Sequence, residues 1–170
     1  ATMTEEVFTS WQSDRGQGLD AIMLAPTRDL VADLNQRARA HRLEGTDPAT
    51  IGRTVRLSDG NDASVGDVII TRRNQRSLRM TRTDWVKNGD RWTILDVTDK
   101  GGLQVQHMKT GRLLEMPSSY VAENTDLGYA CTVHTAQGVT ADAMHGLANG
   151  EESRQQLYTM MSRGRHANHV

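Results

Sequence analysis

Two neighbouring segments carry the residue types that bind phosphate groups. The first, residues 129–142 (YACTVHTAQGVTAD), passes from apolar residues into threonine, histidine, glutamine and glycine. The second, residues 156–165 (QLYTMMSRGR), ends in two arginines separated by one glycine. Hydroxyl, imidazole, amide and guanidinium groups all donate hydrogen bonds to phosphate oxygens. The two segments therefore predict a phosphate-handling site built from a strand end, a glycine turn and a helix end.

The elements that must position this site follow an α/β pattern. Ala21–Ala25 is a continuous apolar run closed by Pro26, which favours a buried parallel strand. Thr27 or Asp29 can cap the helix that follows, because both side chains accept hydrogen bonds from first-turn amides. Its apolar stripe comprises Leu30, Val31, Leu34 and Ala38. Further predicted elements are a lead-in helix at residues 5–12, a second buried strand at 130–133 and a last helix at 153–161.

Between these parts the pattern changes to short alternating segments separated by turns. Strands are predicted at residues 65–70, 91–97, 103–107 and 112–116. Turn signals are Asn88-Gly89, the pair preferred in tight hairpins, Gly101-Gly102 and the loop 109–112. Such spacing predicts a small antiparallel barrel inserted into the α/β domain. The predicted domains are residues 1–54 with 126–170, and the insertion 55–125.

Three motifs in this order resemble those of superfamily 1 DNA helicases. Residues 23–28 (MLAPTR) with Leu34-Asn35, residues 132–138 (TVHTAQG) and residues 157–163 (LYTMMSR) look like motifs IV, V and VI. The subgroup is the RecD-like one, which includes conjugative relaxases of the TraA, TrwC and TraI type and exonuclease V alpha-like proteins. Gly66-Asp67, Arg73-Asn74 and residues 88–90 are similar to its inserted SH3-like barrel. The resemblance spans residues 20–170 and implies part of a RecA-like second motor domain with that insertion.

The resemblance implies nucleotide-handling roles for several residues. Arg163 is the candidate arginine finger, since a guanidinium delivered from a second domain can neutralise the charge of phosphoryl transfer. Arg165 competes for this role, and Arg163 could instead cap its helix or pair with a surface carboxylate. Arg28 resembles the motif IV arginine that reaches the γ-phosphate, although it could be an ordinary exposed first-turn residue. Gln137 and Gly138 are the candidate nucleotide contacts of motif V.

A second set of residues is assigned to single-stranded DNA. Thr132 and His134 resemble the motif V residues that hold the DNA backbone, and a strand-end histidine with a β-favouring threonine is the structural alternative. Residues 71–83 hold five arginines and no acid in a chain of net charge −1. This basic segment predicts a phosphate-contacting surface, or else a solvated loop or a face packed on another domain. Its candidate DNA contacts are Arg72, Arg73, Asn74 and Arg76.

Several other functions are disfavoured by the sequence. Cys131 and His134, with His145, His166 and His169, could supply zinc ligands, but no second closely spaced ligand pair accompanies them, so no metal site is predicted. Trp85 and Trp92 could stack on bases, yet core positions are expected for both. One cysteine and no long apolar run favour a cytoplasmic protein with no membrane partner. The chain is also expected to be a piece of a longer protein.

The sequence contains no phosphate loop of the form Gly-x-x-x-x-Gly-Lys-Ser/Thr. The chain alone is therefore expected not to hydrolyse ATP. ATP and Mg²⁺ are expected to bind between this domain and a preceding RecA-like domain of the same polypeptide, with 5′ to 3′ movement on single-stranded DNA by analogy with the subgroup. The alternative is a non-enzymatic nucleic-acid or protein-binding module, in which the barrel binds the partner.

Overall fold

The computed structural model describes residues 3–18, 20–139, 141–146 and 164–169. Within the chain, two compact units can be distinguished. The α/β unit comprises Ala1–Ala38 and Tyr129–Val170, and the β-rich unit comprises Arg39–Gly128. The sequence-based boundaries lie after residues 54 and 125. Residues 39 and 42 group with the β-rich unit because both arginines donate to Asp67 in that unit.

The α/β unit is organised around a four-stranded sheet in which every neighbouring pair is parallel. The strand order across the sheet is Ala130–Thr132, Ala21–Ala25, Ala141–Gly146 and Gly164–His169. The predicted strands at 21–25 and 130–133 and the predicted helix after Pro26 are confirmed. The elements are α1 (Met3–Gly16), β1 (Ala21–Ala25), α2 (Arg28–Leu43, shared with the β-rich unit), β11 (Ala130–Thr132), a 3-10 turn (Thr135–Gly138), β12 (Ala141–Gly146) and β13 (Gly164–His169).

Helix α1 packs on this sheet through its apolar residues. Trp11 is 2% exposed, and its indole Nε1 donates to the Ala21 carbonyl over 3.0 Å. The Tyr129 ring meets Trp11 edge-on, with 5.8 Å between the ring centroids. The Arg15 guanidinium lies over both rings, which adds a cation–π contact to the packing. The predicted lead-in helix is therefore confirmed, and it is longer than residues 5–12.

The β-rich unit contains one five-stranded antiparallel sheet, ordered β10-β4-β7-β8-β9, and two two-stranded ribbons, β2-β3 and β5-β6. Trp92 and Leu103 are fully buried on one face of the larger sheet, and β4 is buried on both faces. The elements are α3 (Pro48–Ile51), β2 (Val55–Arg56), β3 (Asp62–Ala63), β4 (Val68–Thr71), β5 (Gln75–Arg79), β6 (Trp85–Val86), β7 (Arg91–Val97), β8 (Leu103–His107), β9 (Leu113–Met116), α4 (Ser118–Asn124) and β10 (Thr125–Leu127).

The turn at Asn88-Gly89 corrects one prediction. Gly89 has a φ of 94°, as a glycine turn requires, but the strands on either side belong to different sheets. The Gly89 amide donates to the Thr71 carbonyl over 2.7 Å, so the turn packs against the end of β4 instead of closing a hairpin. Strand β6 pairs with β5, and β7 pairs with β4 and β8. The turns at Gly101-Gly102 and 109–112 do join paired strands, as predicted.

Candidate nucleic-acid interface

The carboxyl ends of two parallel strands bring Arg28, Thr132 and His134 to one edge of the sheet. In the register of β1 and β11, Ala25 lies opposite Thr132. Strands β1 and β11 therefore end at the same level. Their carboxyl ends form the edge of the sheet at which ligands bind in open parallel sheets. Arg28 is the first residue of α2, and its side chain is exposed. His134, two residues beyond β11, is exposed as well.

The residues after β11 form a compact turn. The Thr132 hydroxyl lies 3.1 Å from the Thr135 hydroxyl and accepts a hydrogen bond from the Thr135 amide over 3.3 Å. These contacts leave Thr132 half-buried and commit its hydroxyl partly to the turn. Gln137 and Gly138 form the last two positions of the 3-10 turn. The backbone of this segment thus has the strand-to-turn form predicted from the sequence.

Helix α2 begins at a threonine cap beside this edge. The Thr27 hydroxyl accepts a hydrogen bond from the Leu30 amide over 3.3 Å, so Thr27 and not Asp29 is the capping residue. The cap sets the first turn of α2, where Arg28 lies. Among the described residues, no carboxylate pairs with Arg28 in a salt bridge. Its guanidinium is therefore available at the edge.

Asn35 of helix α2 fixes the backbone of the outermost strand β11 through hydrogen bonds, a role that was not predicted from the sequence. Its side chain is fully buried, its amide donates to the Ala130 carbonyl over 3.2 Å, and its oxygen accepts from the Ala130 amide over 2.7 Å. Strand β11 lies at the edge of the sheet, so these two bonds satisfy backbone groups that no further strand pairs. The available signal was an amide side chain inside the apolar stripe of α2.

Most of the predictions for residues 153–165 concern positions outside the described residues. Arg163 and the predicted helix at 153–161 lie outside the described residues. The backbone of Arg165 lies in β13, which pairs with β12. Their proposed roles in nucleotide chemistry stay predictions.

Cys131 and His145 occupy structural positions. Cys131 is 1% exposed. The His145 ring is also buried, and its Nε2 lies 2.6 Å from an Asp14 carboxylate oxygen. Within the described part of the chain, no group of three histidine, cysteine or acidic side chains is arranged to hold a metal ion. This histidine–aspartate pair joins α1 to β12, and it was not predicted from the sequence.

In the β-rich unit, the basic segment 71–83 forms most of an arm, defined here as residues 72–86, which contains the ribbon β5-β6. The first of its five arginines is structural. The Arg72 guanidinium lies 3.0 Å from a carboxylate oxygen of Asp126, whose side chain is 6% exposed. The Asn74 side chain is also engaged, because its oxygen accepts from the Asn88 amide over 2.8 Å. Both residues therefore anchor the base of the arm.

The remaining arginines of the arm differ from Arg72. All are exposed, and none has a carboxylate partner among the residues that the structure describes. They are Arg73, Arg76, Arg79 and Arg82. An exposed group of like charges without counter-ions attracts anions, and phosphates along a nucleic-acid backbone are anions at regular spacing. The arm is thus an exposed basic surface suited to phosphate contacts.

Trp85 lies within this basic cluster instead of in the core. Its side chain is half-buried, with the Arg76 guanidinium 5.0 Å and the Lys87 ammonium 5.4 Å from the ring centroid. Asp84 binds Lys87 and Arg112, and its hydrogen bond from Lys87 is the main cause that lowers the pKa of the Asp84 carboxyl. Trp92, in contrast, is fully buried, as predicted.

Tyr120 supports the base of the arm from α4. Its hydroxyl donates to the Arg73 carbonyl over 2.6 Å. Burial raises the pKa of this hydroxyl to about 12, because the ionised form would lose hydration. The hydroxyl therefore stays protonated and remains a donor to the arm at neutral pH.

Comparison with known proteins agrees with this geometry. No family model matches the chain. A probable conjugal transfer protein TraA from Sinorhizobium fredii is 30% identical over 170 residues, which cover 97% of this chain and 14% of that protein. The Pif1 helicase from Bacteroides, solved with ADP-AlF3 and ssDNA, superposes with a TM-score of 0.59 and 16% identity over 88% of this chain and 40% of that one. The Pif1 helicase from Candida albicans gives a TM-score of 0.57 and 14% identity, with 91% and 46% coverage.

The chain is therefore similar in sequence to a conjugal transfer protein TraA and shares its fold with Pif1 helicase structures. The resemblance seen in the sequence motifs is therefore confirmed, as is a partial RecA-like fold. The chain spans about one seventh of the TraA relative that it matches. Among the helices that the structure describes, none has the length and apolar character needed to cross a membrane.

Proposed function

We propose that the chain is the second RecA-like motor domain of an ATP-dependent DNA helicase or translocase. In this proposal, residues 1–54 and 126–170 form the motor domain and residues 55–125 form an inserted SH3-like barrel. The parent protein is a conjugative relaxase or an exonuclease V alpha-like protein that acts in the cytoplasm. The observation that carries the proposal is the common sheet edge of Arg28, Thr132 and His134.

Arg28 and the residues of motifs V and VI would serve ATP hydrolysis. Phosphoryl transfer spreads negative charge over the transferred oxygens, and catalysis depends on positioned positive groups. Arg163 is proposed as the arginine finger, with Arg165 as the competing candidate, while Arg28 reaches the γ-phosphate and Gln137 with Gly138 contacts the nucleotide. A preceding RecA-like domain would supply the phosphate loop and the site for Mg²⁺, since this chain contains no such loop.

Single-stranded DNA is proposed to contact both units of the chain. Thr132 and His134 would hold phosphates at the sheet edge through neutral donors. On the arm, Arg73 and Arg76 are proposed as the phosphate contacts, and Arg79 joins them because it is equally exposed. The ion pair of Arg72 with Asp126 and the bond from Asn88 to Asn74 support anchoring roles for those two residues.

The finger is tested by Arg163→Ala in the parent protein. DNA-stimulated ATP hydrolysis should fall at least about a thousandfold, as for other trans-acting arginines, while single-strand affinity stays nearly unchanged. Arg165→Ala is the matched control, two residues away in sequence. If Arg163→Ala keeps full ATP hydrolysis and Arg165→Ala loses it, Arg165 is the arginine finger. Full ATP hydrolysis in both variants would contradict the proposal that either residue is the finger.

A non-enzymatic binding module is the second candidate, and the exposed arginines of the arm, which have no carboxylate partner among the described residues, favour it. Both candidates bind single-stranded DNA, but only the motor couples binding to nucleotide turnover. The discriminating measurement is ATP hydrolysis by the parent protein with and without DNA. Stimulation supports the motor, and absence of hydrolysis in both conditions supports the module.

A further inference from the structure

A groove of about 200 Å³ opens beside the arm, between β5 and α4 of the β-rich unit. Arg73, Gln75 and Ser77 line one side, while Tyr120, Glu123 and Asn124 line the other. At about 30 Å³ for each water in the liquid, this volume corresponds to about seven water molecules, which leaves room for a planar group such as one nucleobase. The groove therefore can admit a single base, and its walls are mainly polar.

Glu123 is the unusual member of this lining. Other carboxylates of the β-rich unit, such as Asp67 and Asp126, are buried and bound to arginines. Glu123 is exposed, and no described residue gives its carboxylate a hydrogen bond or an ion pair. The Asn124 side-chain amide likewise has no partner among the described residues. The groove thus presents the Glu123 carboxylate and the Asn124 side-chain amide, neither of which has a hydrogen-bond partner among the described residues.

A carboxylate repels phosphate, so Glu123 is unsuited to contact the DNA backbone. It is suited to the edge of a base, because carboxylates accept hydrogen bonds from exocyclic amino groups such as cytosine N4. Arg73 lines the same groove, and its guanidinium has no carboxylate partner among the described residues. A nucleotide seated here would place its base against Glu123 and its phosphate near Arg73.

We infer that this groove holds one base of a single DNA strand and that Glu123 selects bases with an exocyclic amino group over thymine. Thymine has no exocyclic amino group, and its single Watson–Crick donor, N3–H, lies between two carbonyl oxygens that a carboxylate repels. The inference rests on the proposed contact between the arm and single-stranded DNA. It adds a base preference that phosphate contacts alone cannot give.

The test measures affinities of the 170-residue chain for fluorescent dC and dT 12-mers at pH 8 by fluorescence anisotropy. The ratio of the dT to the dC dissociation constant is compared between the unsubstituted 170-residue chain and its variants Glu123→Ala and Glu44→Ala. Glu44 is the matched control, because it is an exposed acid of the same unit outside the groove. Using the ratio cancels the general gain in affinity that removal of a negative charge produces.

The ratio should fall by about fivefold in Glu123→Ala, the low end of the discrimination from one good contact to a base edge. It should not change in Glu44→Ala. Equal ratios in the unsubstituted chain and in Glu123→Ala overturn the base preference but leave the proposed contact between DNA and the arm intact. Absence of binding to both 12-mers overturns the arm contact and the inference together. Thermal unfolding of each variant verifies that the exposed substitution leaves the fold unchanged.

Discussion

The sheet edge of the α/β unit and the arm of the β-rich unit both present polar groups, but they hold them differently. At the edge, two parallel strands in register and the buried Asn35 fix the backbone beside Thr132. On the arm, Arg72 is tied to a carboxylate, and the exposed arginines beyond it have no such partner among the described residues. Fixed geometry suits a reaction centre, whereas exposed charge without a carboxylate partner suits contact with a phosphate backbone.

The largest expected effect lies in the carboxylate that anchors the β-rich unit. Asp67 is fully buried and accepts from Arg39 over 2.9 Å and from Arg42 over 3.0 Å. Asp67→Ala should lower the free energy of unfolding by about 3–5 kcal/mol, because it leaves charges at a buried site without their partner. Urea denaturation measures the change. Asp62→Ala, which breaks the exposed pair with Arg56, should cost less than about 1 kcal/mol.

The next effect tests the fixed geometry of the sheet edge. Asn35→Ala removes both hydrogen bonds to the Ala130 backbone and should cost about 1–3 kcal/mol, because buried backbone groups lose their partners. Thermal or urea unfolding measures it. Gln36→Ala, at the exposed neighbouring position of α2, is the control and should change stability by less than about 0.5 kcal/mol. Equal losses in both variants would contradict the role of Asn35.

The contribution of the exposed arginines of the arm to DNA binding is tested by salt dependence. Replacement of Arg73, Arg76 and Arg79 by alanine should weaken binding of single-stranded DNA about tenfold at low salt. The slope of log affinity against log salt should become shallower by about two, since each single-strand phosphate contact contributes about 0.7. Arg72→Ala should leave the slope nearly unchanged while lowering stability. A larger slope change in Arg72→Ala than in the triple variant would contradict the assignment of Arg72 to anchoring and of the other three arginines to DNA contact.

The smallest effect concerns the support of the arm by Tyr120. The pKa of its hydroxyl is about 12 in the folded chain, against about 10 when unfolded. Between these values the folded state keeps a proton that the unfolded state loses. Stability from this group is therefore complete below pH 10 and is lost as pH rises toward 12. Tyr120→Phe should cost about 1 kcal/mol at pH 7 and reduce this alkaline loss, as measured by urea denaturation at each pH.

Local patterns predicted the strands at 21–25, 91–97 and 103–107, because hydrophobic runs and alternation are properties of adjacent residues. Strand β5 was missed, since its sequence QRSLR is mostly polar and only partly buried. Pairings between distant residues were not predictable either. Asn35 binds Ala130, 95 positions away, and Arg72 binds Asp126, 54 positions away. Composition identified the basic segment, but only tertiary structure separates the anchoring arginine from the exposed ones.

The division between a nucleotide-handling edge and a DNA-gripping arm is the central proposal. Its most direct test is DNA-stimulated ATP hydrolysis by the parent protein, measured as a function of single-stranded DNA concentration. Arg28→Ala should lower the maximal rate and leave the half-stimulating DNA concentration unchanged. The triple alanine variant of Arg73, Arg76 and Arg79 should raise that concentration and leave the maximal rate unchanged. The opposite pattern, or the same change in both variants, would contradict the account.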